Sequence, residues 1–102
     1  MSFKIKPSSQ IEADLRSILT YISQNDAGGA RRVFEEFNRK ITILKKRPLS
    51  FRLRDELGMD FRAMHVFSYL LVYHVEDSTV FLDRLVHSAQ DLEAIFRNDD
   101  NS

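Results

Sequence analysis

The chain has 102 residues and a mass of 11.9 kDa, with 43% hydrophobic and 29% charged residues; that is the size and composition of one folded domain, and it excludes a mostly disordered chain. Fifteen Lys and Arg balance fifteen Asp and Glu, so the formal net charge is zero and the pI is about 6.8, which argues against a dedicated binder of nucleic acid. There is no cysteine, so a disulfide framework, a thiolate metal site and a cysteine nucleophile are excluded.

Phe3-Lys4-Ile5-Lys6 alternates apolar and basic residues and predicts a short strand ended by Pro7. Ser9-Gln10-Ile11-Glu12 has the form of a capping box, with Ser9 as the cap. Ile11, Leu15, Ile18, Leu19 and Ile22 then recur with the spacing of an amphipathic helix. Asn25-Asp26-Ala27-Gly28-Gly29 predicts a turn in which Asn25 or Asp26 caps a second helix. The second apolar stripe is Ala30, Val33, Phe34, Phe37, Ile41 and Leu44, and Pro48 stops it. Two amphipathic helices on a short link make an antiparallel hairpin.

Residues 48–60 lack periodicity and read as a loop with a short turn ending at Gly58. Three strands follow: Phe61 to Val66, Ser68 to Val75, and Thr79 to Val86, the last reached through a turn at Glu76-Asp77-Ser78. The run Tyr69-Leu70-Leu71-Val72-Tyr73 suits a central strand covered on both faces. Ser88-Ala89-Gln90-Asp91 opens a last helical turn carrying Leu92, Ile95 and Phe96. The order β-α-α-β-β-β-(α) predicts an α+β fold. A mostly antiparallel sheet of about four strands packs on the helical hairpin, with a single domain over 1–97 and a polar tail over 98–102. No apolar run approaches the roughly 18 residues of a membrane span, and the amino terminus has no apolar signal core. A cytoplasmic protein is expected.

Candidate chemistry is sparse. His65, His74 and His87 match no metal-ligand spacing, and there is no HExxH, phosphate-binding glycine loop or GxSxG. No metal or cofactor is expected. Arg84 stands where an apolar residue would alternate with Val80, Leu82 and Val86, so it either pairs with a carboxylate or lines a working surface. Tyr69 and Tyr73 need hydroxyl partners if buried.

Several segments resemble the RelE/ParE toxin superfamily, and its ParE-like branch in particular. Ala13-Asp14-Leu15 through Tyr21-Ile22 is similar to the opening of its first helix, and Ile41 to Pro48 resembles its I-x-x-L-x-x-x-P stretch. Arg62 followed by Tyr69-Leu70-Leu71-Val72-Tyr73-His74-Val75 resembles its central strands. Arg84-Leu85-Val86-His87 through Asp91 resembles the R-x-x-H-x-x-x-D ending of ParE-type chains. The resemblance covers residues 9–96 and implies a toxin of a type II toxin–antitoxin pair, of the kind linked to plasmid stabilisation. A cognate antitoxin is the implied partner and DNA gyrase the implied target, in a toxin–antitoxin hetero-oligomer without membrane or direct nucleic-acid contact.

RelE-type relatives are ribosome-dependent mRNA nucleases that use second-strand lysines, a central-strand arginine, and an arginine and tyrosine near the carboxyl end. The matching positions here are Phe61 and Ala63, Leu70, Ser88 and a site near Ala94. No catalytic residue is therefore expected. Partner binding is assigned to Arg62, Leu70, Val72, Arg84 and His87, because the hairpin covers one sheet face and leaves an apolar one open. The alternatives are a RelE-like nuclease with a replaced catalytic set, or a non-toxic relative that only binds its antitoxin.

Overall fold

The computed structural model describes residues 2–58 and 60–87. Strand β1 is Lys4–Pro7, helix α1 Ser9–Ser23 and helix α2 Ala27–Lys46. Strands β2 (Arg62–Val66), β3 (Tyr69–Glu76) and β4 (Thr79–Val86) complete the fold. The sheet order is β1-β4-β3-β2; the last three strands form an antiparallel meander and β1 runs parallel to β4. This is the expected α+β arrangement. The expected final helix at Ser88–Phe96 lies outside the described residues.

Both helix starts fall slightly off the sequence expectation. The α1 cap is Ser8, whose hydroxyl accepts the Ile11 amide at 3.0 Å. Ser8 has the extended backbone of a cap, whereas Ser9 is already helical, and that places the cap one residue before Ser9. The α2 cap is Asp26, which accepts the Gly29 amide at 2.8 Å, so Gly28 and Gly29 belong to the first turn of α2 and not to the link. A Cβ at Gly29 would sit 2.6 Å from the Asp26 carboxylate, so this cap needs glycine there.

The core lies between the hairpin and one sheet face. Ile11, Val33, Phe37 and Leu44 meet Met64, Val66, Leu71, Tyr73, Val80, Leu82 and Leu85, all buried. Each such side chain contributes about 1.5–3 kcal/mol by leaving water. Phe34 was expected in this stripe but is 46% exposed, because the buried face of α2 is centred on Val33, Phe37 and Leu44 and turns Phe34 toward solvent.

The irregular stretch between α2 and β2 holds two 3-10 turns, Pro48–Ser50 and Asp55–Leu57. It is pinned to the sheet at several points. The Tyr73 hydroxyl, fully buried, donates to the Pro48 carbonyl at 2.7 Å. The Arg62 Nε donates to the Phe51 carbonyl at 2.8 Å, and the Arg54 amide donates to the Phe61 carbonyl at 2.7 Å.

Tyr73→Phe leaves the Pro48 carbonyl without its donor and should cost about 1–3 kcal/mol in urea unfolding. Burial also raises the Tyr73 pKa. A raised value favours the protonated phenol in the folded state, so this stability is full below the ordinary tyrosine value of about 10 and is lost as pH climbs beyond it. The variant should therefore lose stability less steeply than the parent above about pH 10.

Candidate functional site

Strand β4 carries one more residue than its neighbour. Leu71 pairs with Leu85 and Val72 with Arg84, but Tyr73 pairs with Leu82, so Asp83 is the extra residue of a β-bulge. Val80, Leu82 and Leu85 face the hairpin, whereas Val86 joins the opposite face. The simple alternation of Arg84 with Val80, Leu82 and Val86 expected from sequence is therefore broken by the bulge.

Arg84 pairs with a carboxylate of its own chain. Its Nε and Nη2 donate to the two oxygens of Asp14 on α1, at 2.8 and 3.2 Å, and the Leu85 amide donates to the same carboxylate at 3.0 Å. The geometry follows from β1 ending at Pro7: beyond Leu82 the edge of β4 has no strand partner, and α1 supplies one. Ser8 continues the same edge, its amide donating to the Leu82 carbonyl and its hydroxyl to the Asp83 carbonyl. Asp14 was missed in the sequence, yet a signal was there: it lies on the buried side of α1, three residues after Ile11 and four before Ile18. An acid and a base each sitting in an apolar stripe are natural partners.

Asp83 serves the other side of the bulge. Its Oδ2 lies 2.6 Å from His74 Nδ1, and Glu76 lies 3.7 Å from His74 Nε2. The imidazole stacks on Phe81 at 4.9 Å and meets Phe61 edge-on at 5.8 Å. Burial pushes the Asp83 carboxyl above its ordinary range, while the His74 hydrogen bond and charge pull it down. This imidazole–carboxylate couple was not foreseen as a pair, because the bulge that sets it is invisible in the residue pattern.

The five residues assigned to partner binding do not form one open surface. Leu70 and Val72 do point away from the hairpin, but they are 4% and 0% exposed. They pack with Leu57, Val86, Phe61 and Ala63 into a second small core. The open apolar sheet face expected from sequence is thus closed, in part by Leu57 from the irregular stretch. Arg62 and Arg84 are hydrogen-bonded within the chain. His87 is exposed, its ring edge-on to Tyr69 at 5.2 Å.

Five large apolar side chains are exposed among the described residues: Tyr21 and Phe34 on the hairpin, Leu49 and Leu53 in the irregular stretch, and Phe67 at the β2–β3 turn. Leu19, Thr20, Ser23, Ala30, Arg31 and Phe34 line an open groove of about 410 Å³ between α1 and α2. Arg16 and the 71%-exposed Tyr21 lie on the adjoining surface of α1. Among the described residues no helix is long and apolar enough to cross a membrane.

The sequence profile of the family described as "ParE toxin of type II toxin-antitoxin system, parDE" matches residues 5–92. The chain belongs to the ParE toxin family. Its fold is shared with solved structures of low sequence identity. A structure of the chromosomal ParDE toxin–antitoxin system from P. aeruginosa is 12% identical at a TM-score of 0.73, over 85% of this chain and 97% of that one. A YoeB/ParE toxin from Agrobacterium tumefaciens is 15% identical at 0.63, over 82% and 96%. A chain of the E. coli DinJ-YafQ toxin–antitoxin complex is 17% identical at 0.61, over 85% and 93%. No curated protein matches the chain.

If Asp14 and Arg84 hold α1 on β4 in this ParE-family chain, they are energetically coupled. A double-mutant cycle of Asp14→Asn and Arg84→Met in chemical denaturation should give a coupling of roughly 0.5–3 kcal/mol. Asp14→Asn should be the more damaging single change, because it also weakens the acceptor of the Leu85 amide.

Proposed function

We propose that this chain is the toxin of a type II toxin–antitoxin pair that acts by binding DNA gyrase and is neutralised by a cognate antitoxin. The observation that carries the choice of mechanism is Leu70. It occupies the central-strand position where the nuclease branch is expected to hold an arginine, and it lies buried beside Val72 and Val86. Cleaving RNA through its own 2′-hydroxyl requires a base, an acid and cations facing the phosphate. An apolar cluster at Leu70, with Ala63 packed against it, supplies none of these. Arg84 is committed to Asp14, which removes it as a free cation.

Antitoxin binding is assigned to the hairpin groove. Its apolar floor, Leu19, Ala30 and Phe34, fits the aliphatic stripe of an amphipathic segment. Arg31 in the groove and Arg16 beside it favour acidic residues on that segment. The P. aeruginosa ParDE and E. coli DinJ-YafQ structures are toxin–antitoxin assemblies by name, and that supports an antitoxin as the occupant here.

The His74–Asp83 couple favours a second reading, a ribosome-dependent nuclease with a replaced catalytic set. A carboxylate on Nδ1 orients an imidazole so that Nε2 can exchange protons.

Purified protein should inhibit gyrase supercoiling and leave mRNA intact in a translating ribosome extract. Cleavage in the ribosomal A site that disappears in His74→Ala or His87→Ala, with gyrase unaffected, would establish the second reading instead. For the groove, Phe34→Glu should weaken antitoxin binding by about tenfold or more. The fold should survive this change, because Phe34 is already half in solvent. Unchanged affinity in calorimetric titration would place the antitoxin elsewhere.

A further inference from the structure

Between Glu36 and Asp55 the chain carries seven cations and no acid. Arg39 and Lys40 meet Glu36, and Arg54 meets Glu56. Lys45, Lys46, Arg47 and Arg52 are exposed and form no ion pair among the described residues. Cations in the last turn of a helix offset its dipole, which accounts for Lys45 and Lys46. Arg47 and Arg52 lie past the end of α2, where that effect has faded. Two exposed leucines stand among these cations, Leu49 at 57% and Leu53 at 42%.

This cationic end is continuous with the hairpin groove. Ala30 and Phe34 line the groove, and Asn38, Thr42 and Lys46 follow them at steps of four residues, all three exposed. Residues four apart are neighbours on one helix face, so these five form a single ridge without an acid. The ridge runs from Phe34 to the first cation, Lys45, over about three turns and roughly 16 Å.

We propose that the antitoxin segment seated in the groove continues along this ridge as a helix and ends on the cations. Its apolar stripe lies over Phe34, and a cluster of acidic residues about three turns further on meets Lys45, Lys46 and Arg47. This rests on the antitoxin reading of the groove. A phosphate backbone would also use the cations, but it has no apolar partner for Leu49, whereas the aliphatic side of an amphipathic helix does. The two anchors reinforce each other: with Phe34 engaged, the acidic cluster is held at high effective concentration beside the cations.

The chain has no cysteine, so Thr20→Cys in the groove and Leu49→Cys at the cationic end each accept a single photo-crosslinking label. Each labelled chain is irradiated with the antitoxin, and the attachment point is read by mass spectrometry. Both labels should capture one antitoxin segment, the Leu49 label beside a run of Asp or Glu about three helical turns from the Thr20 site. Capture at Thr20 alone would overturn the proposal and leave the groove reading standing; capture at neither would remove both. With gyrase also present, transfer of the Leu49 label to gyrase, or to a second copy of the chain, in place of the antitoxin would overturn it as well. In calorimetric titration, the combined change Lys45→Gln, Lys46→Gln and Arg47→Gln should weaken antitoxin binding about tenfold or more at low ionic strength. The difference should shrink in about 1 M salt, where exposed charges are screened. Equal affinities at low ionic strength would contradict a cationic anchor.

Discussion

One extra residue in β4 governs much of this molecule. The bulge at Asp83 sends consecutive side chains to separate partners: Asp83 to His74 across the sheet, Arg84 to Asp14 on α1. Without it, strict alternation would carry Leu85 and Val86 to the wrong faces, since a one-residue slip inverts a strand. With it, Leu85 joins the main core and Val86 the second, smaller one. The bulge also falls where β1 stops, so the open edge of β4 meets Ser8 and Asp14 instead of another strand. A single irregularity thereby fixes the register of the central pair and the seat of the first helix.

This arrangement uses up polar groups that a catalytic face would need. Arg84 and Asp14 neutralise each other in a half-sheltered site, where leaving either unpaired is costly. Arg62 holds the irregular stretch against β2. Leu70 and Val72 hold the outer face of β3 through apolar contact with Leu57 and Val86. The large apolar groups that stay exposed among the described residues are Tyr21 and Phe34 on the hairpin, Leu49 and Leu53 in the irregular stretch and Phe67 at a turn, and the aromatic ones are of the kind that anchor protein interfaces.

Much of the fold was legible because it rests on local periodicity. The spacing of Ile11, Leu15 and Ile18 and the unbroken run from Tyr69 to Tyr73 each carry their own structural instruction. The misreadings have physical causes. Ser8 and Ser9 are equally good caps in composition, and only the extended backbone of Ser8 selects between them. Phe34 is apolar and at helical spacing, but exposure depends on the centre of the buried stripe, which tertiary packing decides. The closed outer face depended on Leu57, from a stretch with no period to read. The candidate site fared worst, since Asp14 and Arg84 lie 70 residues apart and pair only through the bulge. The resemblance quoted from Ala13–Ile22 and Arg84–His87 did contain both, without indicating that they touch.

The central claim is that α1, through Asp14, completes the open edge of β4. Amide hydrogen exchange at Leu85 tests it most directly. The Leu85 amide should be protected to the same degree as amides paired between β3 and β4, and Asp14→Ala should abolish that protection at Leu85 while leaving the β3–β4 amides slow. Exchange at Leu85 as fast as at an unpaired strand edge in the parent protein would contradict the account.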